Sequence, residues 1–191
     1  MLSFNRLLRS AALAVALLSP GAAFAATFAG VTLPDTADVA GKRLVLNGIG
    51  SRVYSIFRVD VYVAGLYLDA PSHDAAAILD SPQPKLVAMV FLHAVGRDDM
   101  IAAWRESFRD NCKAPCVLPS ASIARFEAML DGVVQNDSLS FVFSNGGVET
   151  FFRQQSRGRI DDPAFARLLL ATWIGPAPPT EELKKALLAG R

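Results

Sequence analysis

Histidine and cysteine are scarce in this sequence, with only two of each among 191 residues. The histidines, His73 and His93, lie in unrelated segments, so the cluster of ligands that a metal site needs is absent. Positive charge is not in excess either, because 19 Lys and Arg residues are balanced by 18 Asp and Glu residues. We therefore expect no metal and no other cofactor, and a nucleic-acid partner is not expected.

The motifs of several large enzyme classes are also absent. The sequence has no serine elbow, no phosphate-binding loop and no isolated pair of catalytic carboxylates. Gly48 and Gly50 resemble the start of a dinucleotide loop, but Val53 stands at the position of the third glycine and a strand pattern follows. We interpret these glycines as a tight turn between two strands.

Long hydrophobic runs are confined to the N-terminus. Two arginines precede an apolar run over residues 11–18, which is broken at Pro20 and followed by small residues up to Ala25. This pattern is typical of a secretory signal peptide, and the run is too short for a membrane anchor. The sequence thus predicts a signal peptide over residues 1–25 and one domain over residues 26–191, exported to the periplasm or secreted, without stable membrane insertion.

The two cysteines, Cys112 and Cys116, are separated by three residues. Export allows a disulfide, and the short spacing favours a small closed loop at a helix end. A redox pair would normally have two intervening residues, and half a metal site would lack its other ligands. We expect a structural disulfide and no catalytic role.

Strand and helix patterns occur in separate runs along the mature chain. Segments rich in Val, Tyr and Ile extend from Lys42 to Asp69, and another apolar strand runs over residues 85–95. Amphipathic helices are predicted at 97–112 and 120–132, a hairpin turns at Asn145–Gly146, and capped helices begin after Asp162 and Thr180. This segregation predicts an α+β fold, with a mainly antiparallel sheet covered by helices.

Arg52 and Tyr62 stand out within the strand-rich part. If the chain forms a hairpin that turns near Ile56, the two residues lie opposite each other. A guanidinium beside a phenol could hold a carboxylate or an enolate. Spacing alone, however, favours an arginine at the sheet edge whose charged end reaches water.

The stretch LNGIGSRVYSIFRVDVYVAGLYL resembles the signature of the chalcone isomerase-like family. The helix ending in RDNC, the hairpin FVFSNGGVE and the closing FARLLLATWIGPAPPTEELKKALL follow in the expected order, so the similarity extends from Phe28 to Leu188. The resemblance implies an open-faced β-sandwich, in which a large antiparallel sheet is covered by a helical layer, with a ligand cleft between them.

The resemblance also implies a set of ligand-binding residues: Arg52, Tyr62, Trp104, Ser107, Asn111 and Thr172. Arg52 corresponds to the arginine of the cleft, and with Tyr62 it matches the pair that holds a lipid carboxylate in fatty-acid-binding members. Trp104 and Ser107 stand where isomerases have a catalytic tyrosine and a lysine. Trp104 has no ionisable hydroxyl and Ser107 cannot supply an ammonium group, so no catalytic residue is assigned.

We therefore expect non-catalytic binding of a fatty acid or another apolar carboxylate. One alternative is an isomerase, an intramolecular lyase acting on an enone, which would require another ionisable group besides Arg52 in the cleft. Another is a structural or partner-binding domain, in which Arg52 would pair with an internal acid and no cavity would remain.

Overall fold

The computed structural model describes residues 25–54 and 59–190. The strands in these ranges are β1 (Ala25–Phe28), β2 (Val31–Pro34), β3 (Thr36–Val39), β4 (Lys42–Tyr54), β5 (Val59–Leu68), β6 (Lys85–Phe91), β7 (Ser138–Ser144), β8 (Gly147–Phe152) and β9 (Gln155–Ile160). The helices are α1 (Ala75–Asp80), α2 (Arg97–Asn111), α3 (Ser120–Ala128), α4 (Pro163–Ile174) and α5 (Glu181–Leu187). None of these helices is long and apolar enough to cross a membrane.

Seven strands form one antiparallel sheet in which the strand order follows the chain, from β3 to β9. Strands β1 and β2 form a separate hairpin. Because the sheet is antiparallel and the helices are segregated from the strands, the fold is α+β. The fold class predicted from the sequence is confirmed.

The helical layer covers one face of the sheet. Alternate residues of β6 and β7 are buried on this side, as expected when one face of each strand meets a core. Helix α4 lies at the centre of the layer, since nine of its residues are buried, and α2 and α5 pack beside it. A helix that is apolar over most of its circumference needs such surroundings.

The opposite face of the sheet is partly covered by the β1–β2 hairpin. Leu33 of β2 belongs to a second apolar cluster that also includes Leu44, Leu46, Val63 and Tyr67 of the sheet. The Tyr67 hydroxyl donates a hydrogen bond to the Pro34 carbonyl oxygen at 2.9 Å. Strands β4 and β5 are therefore buried on both faces, and the positions of their side chains are closely fixed.

The turn predicted at Gly48 and Gly50 is wrong, because both residues lie inside the 13-residue strand β4. Helix α5 packs directly against them. A Cβ atom at Gly48 would lie 2.6 Å from the Leu187 carbonyl oxygen, and one at Gly50 would lie 2.6 Å from the Ala186 Cβ. Glycine is needed here for the close approach of a helix to a strand.

Other local predictions differ from the structure mainly at boundaries. The strand predicted to end at Val95 ends at Phe91, and the helix predicted to end at Gly132 ends at Ala128. The short strands β1, β2, β3 and β9 were not predicted. The hairpin at Asn145–Gly146 is confirmed, with positive φ at both turn residues. The predicted signal peptide and the turn near Ile56 lie outside the described residues, except for Ala25.

Candidate functional site

A cavity of about 300 Å³ lies between the sheet and the helical layer. Ligand pockets usually measure roughly 300–1,000 Å³, so this one is at the small end of that range. Most of its wall is apolar or aromatic. The lining residues are Arg52, Val61, Tyr62, Met89, Phe91, Val95, Met100, Ala103, Trp104, Glu106, Ser107, Asp110, Thr172, Trp173, Ala177, Pro178 and Pro179.

Arg52 and Tyr62 are register partners on β4 and β5, as the sequence predicted. Both line the cavity. Arg52 is half-buried, whereas Tyr62 is only 5% exposed and packs edge-on against Phe91. Among the described residues, no carboxylate forms an ion pair with Arg52. Within this part of the chain, the Arg52 guanidinium therefore has no counter-ion, and its Cζ lies 6.0 Å from the centroid of the Tyr54 ring.

The hydroxyl of Tyr62 stays protonated over the physiological pH range. Burial raises the pKa of this phenol to about 12, while the positive charge of Arg52 and the nearby N–H of the Trp173 indole act in the opposite direction. A protonated phenol can donate one hydrogen bond, and an indole N–H has no acceptor atom that could take this proton. Tyr62 is therefore suited to donating a hydrogen bond and unsuited to acting as a base.

Trp104 forms the aromatic wall of the cavity. Its ring centroid lies 5.3 Å from those of both Phe126 and Trp173, and it also packs against Phe108 and Phe141. The side chain is 9% exposed. With ring contacts of this kind on several sides, Trp104 is held in one position. It offers a ligand an apolar surface and no ionisable hydroxyl.

Ser107 and Thr172 also line the cavity, from α2 and α4. The Thr172 hydroxyl donates to the Leu169 carbonyl oxygen at 2.7 Å within its own helix. It can therefore accept a hydrogen bond from a ligand but has already used its proton. Ser107 is half-buried, and no hydrogen bond of its hydroxyl is found in the described parts of the chain.

Asn111, expected among the ligand-binding residues, does not line the cavity. Its amide nitrogen donates to the carbonyl oxygens of Ser107, at 3.0 Å, and Ala177, at 2.8 Å. Its amide oxygen accepts from the Ala177 N–H at 3.2 Å. Asn111 therefore ties the end of α2 to residues 177–179, which form part of the cavity wall.

Two acidic residues at the cavity were not predicted from the sequence. Glu106 and Asp110 are exposed, and they lie one turn apart on α2. Residues three or four apart lie on one side of a helix. Because Ser107 was predicted to face the cleft, Asp110 one turn further on and the adjacent Glu106 could have been expected near it. In the sequence alone, Glu106 and Asp110 look like residues on the solvent-exposed side of an amphipathic helix.

The geometry bears on the alternatives left open by the sequence. A collapsed cleft with Arg52 paired to an acid is not found in the described residues, since a cavity is present and the arginine forms no ion pair there. Ionisable groups other than Arg52 do reach the cavity, namely Tyr62, Glu106 and Asp110. Their presence means that an enzyme is not excluded on this criterion. The choice between binder and enzyme therefore depends on what each of these groups can do chemically.

Cys112 and Cys116 form a disulfide with a Cα–Cα distance of 5.2 Å, directly after α2. Cys112 is buried in the main core, and Cys116 is exposed. Over residues 25–54 and 59–190, no group of three or more His, Cys, Asp or Glu side chains is arranged to hold a metal ion.

The chain was compared with known sequences and structures. No curated protein matches the sequence. The fold is similar to the crystal structure of a fatty-acid binding protein from Arabidopsis thaliana, with a TM-score of 0.73 and 14% identity, covering 87% of this chain and 96% of the other. Residues 25–189 match the chalcone isomerase-like family, and the chain therefore belongs to that family.

Proposed function

We propose that this protein binds a fatty acid or another apolar carboxylate without catalysing its conversion. The observation that carries the proposal is the position of Arg52. Its guanidinium lies beside Tyr62 on an apolar cavity and forms no ion pair with a carboxylate of the described residues. A ligand carboxylate would supply that counter-ion.

The two residues can divide the recognition of the carboxylate between them. The guanidinium offers paired N–H donors that match a carboxylate, and the Tyr62 hydroxyl can add a third hydrogen bond. The apolar wall receives the rest of the ligand, where each buried methylene contributes ~0.8 kcal/mol. The chain would then supply most of the affinity, and Arg52 would select the head group.

Three observations support binding over isomerisation. One solved structure with a similar fold is named a fatty-acid binding protein. In addition, the family resemblance places Trp104 and Ser107 where isomerases have a tyrosine and a lysine. Neither residue can polarise a ketone as those groups do. Tyr62, with a pKa raised to about 12, is not a base at neutral pH.

Binding of a fatty acid and of its methyl ester should be measured by calorimetry for the parent protein, Arg52→Ala and Tyr62→Phe. We expect Arg52→Ala to weaken acid binding by roughly 2–5 kcal/mol and Tyr62→Phe by about 1 kcal/mol. Arg109→Ala is the control, because Arg109 lies on α2 but does not line the cavity.

The ester should bind more weakly than the acid to the parent protein and show little dependence on Arg52. Equal affinity for acid and ester, or unchanged acid affinity in Arg52→Ala, would overturn the proposal. The same protein should show negligible cyclisation of a chalcone. Stereoselective turnover by the unmodified protein would favour an isomerase instead.

A further inference from the structure

The charges on the cavity wall are unevenly distributed. Arg52 is the only cation among the described residues that line the cavity, and it is half-buried. Glu106 and Asp110 are acidic side chains, and both are exposed. The described lining thus carries one half-buried positive charge, Arg52, and two exposed negative charges, Glu106 and Asp110. We call these two acidic residues the acidic mouth.

The cations on α2 do not neutralise the acidic mouth. Arg105 and Arg109 border a different groove, together with Phe108 and Leu118. Arg105 is already occupied by Glu127, with an N–O distance of 2.6 Å. Both arginines therefore lie away from the cavity.

The two acids differ in their own partners. Asp110 pairs with Lys113 at 2.9 Å, but both side chains are largely exposed, so solvent weakens this interaction. Glu106 forms no ion pair with any cation in the described ranges. At least one full negative charge at the mouth is therefore uncompensated by the described residues.

On the basis of the proposed function, we propose that the acidic mouth restricts the site to ligands with a single negative charge. Arg52 can neutralise one carboxylate. A second negative charge would meet Glu106 and Asp110 with no further cation of the described lining to offset it. The ligands selected would be free monocarboxylic acids, and the ligands rejected would be dicarboxylic acids or alkyl phosphates, according to which end of the ligand lies at the mouth.

The direction in which the ligand lies decides which kind of dianion meets the acidic mouth. If the head group lies near the mouth, the second charge of a phosphate is repelled. If the tail extends to the mouth, a carboxylate at the far end of a dicarboxylic acid is repelled. Repulsion between partly exposed charges is weakened by solvent and by salt, because the screening length is ~10 Å at 0.1 M ionic strength.

The test compares decanoate, decyl phosphate and decanedioate, three ligands of equal chain length, by calorimetry at pH 8 and low ionic strength. We expect at least one of the two dianions to bind on the order of tenfold more weakly than decanoate to the parent protein, and the ratio of its dissociation constant to that of decanoate is the quantity followed. In the double variant Glu106→Gln, Asp110→Asn, this ratio should fall severalfold, and it should also fall for the parent protein as salt is added. Glu181→Gln, Glu182→Gln is the matched control, since it removes two exposed charges from α5 that do not line the cavity.

The outcomes separate this inference from the proposed function. Decanoate binding that requires Arg52, with dianions bound equally well or with a ratio unchanged in the double variant, would overturn the charge selection alone. A ratio that changes equally in the control would also overturn it. Absence of decanoate binding would overturn both the proposed function and the inference that depends on it.

Discussion

At the scale of single residues, burial determines how Tyr62 responds to pH, because its effect on the pKa is larger than the opposing effect of the Arg52 charge. The pKa of Tyr62 is 10.0 in its ordinary state and about 12 in the folded protein. As the pH rises above 10, the unfolded chain loses the phenol proton before the folded chain does. The stabilising contribution is therefore complete below pH 10 and is lost between pH 10 and 12, by up to ~1.4 kcal/mol per pH unit.

Urea unfolding at pH 8 and about pH 11 tests this expectation. Tyr62→Phe should reduce the alkaline loss of stability relative to the parent protein. Tyr67 serves as a positive control on the opposite face of the sheet. Burial also raises its pKa to about 12, so Tyr67→Phe should give a similar reduction. An alkaline loss that is the same in the parent and in both variants would contradict the assignment.

The sequence predicted the pairing of Arg52 with Tyr62 because their strands adjoin in the chain, so simple counting along a hairpin placed them together. It did not predict that Glu106 and Asp110 reach a cavity. Exposed acids on an amphipathic helix have the same pattern whether they border solvent or the mouth of a pocket. Only the packing of α2 against distant elements separates these two cases.

At the scale of elements, the contact between β4 and α5 depends on a residue without a side chain. Gly48 lies against the Leu187 carbonyl. Next to it, the fully buried Asn47 donates hydrogen bonds to the carbonyl oxygens of Leu187, at 2.8 Å, and Ser72, at 2.9 Å. These contacts join the end of α5 to the strand that carries Arg52.

Gly48→Ala should displace α5 and destabilise the fold by about 2–4 kcal/mol, as expected for overpacking against backbone. Gly132→Ala is the control, since a Cβ there would meet its neighbours at 3.4 Å, an ordinary contact distance. The measurement is the free energy of unfolding in urea. A loss in Gly48→Ala no larger than in the control would show that α5 can move away at little cost.

Local sequence could not reveal the role of Gly48. A glycine between two apolar runs is a standard turn signal. Its actual contact is with α5, far away in the sequence: the neighbouring residue Asn47 is separated from Leu187 by 140 residues. The caps of α4 and α5 were predictable, by contrast, because Asp162 and Thr180 bond to N–H groups within three residues. Local hydrogen bonds can be predicted from local sequence, and close helix–strand approaches cannot.

The segment 177–179 depends on Asn111 for its position. Asn111→Asp removes both hydrogen bonds donated by the amide and places a carboxylate against the carbonyl oxygens of Ser107 and Ala177. We expect a loss of about 1–3 kcal/mol in stability. We also expect faster release of a bound fatty acid, because part of the cavity wall is untied.

Stopped-flow displacement of a fluorescent fatty acid measures the release rate. Arg109→Ala serves as the control on the same helix, outside the cavity. If Asn111→Asp lowers stability but leaves the release rate unchanged, the segment does not control ligand exit.

At the scale of the whole molecule, the N-terminal hairpin lies where the predicted leader ends. Ala25 and Ala26 pair with Pro34 and Leu33, so the first residues after the predicted cleavage position belong to a strand. Ala26 is buried, and Leu33 packs in the second apolar cluster, on the face of the sheet opposite the helical layer. Cleavage after Ala25 would leave the greater part of this ladder in place.

We propose that the protein is exported, with its mature chain starting at or near Ala26 and with Cys112 joined to Cys116. The small residues before Ala26 suit a signal peptidase, and the disulfide requires an oxidising compartment to persist. N-terminal sequencing and thiol titration under denaturing conditions, on protein recovered from that compartment, test both parts. We expect a single start near Ala26 and no free thiol. A chain that keeps Met1 in the membrane fraction would show an anchor instead, and two reactive thiols per exported chain would contradict the disulfide.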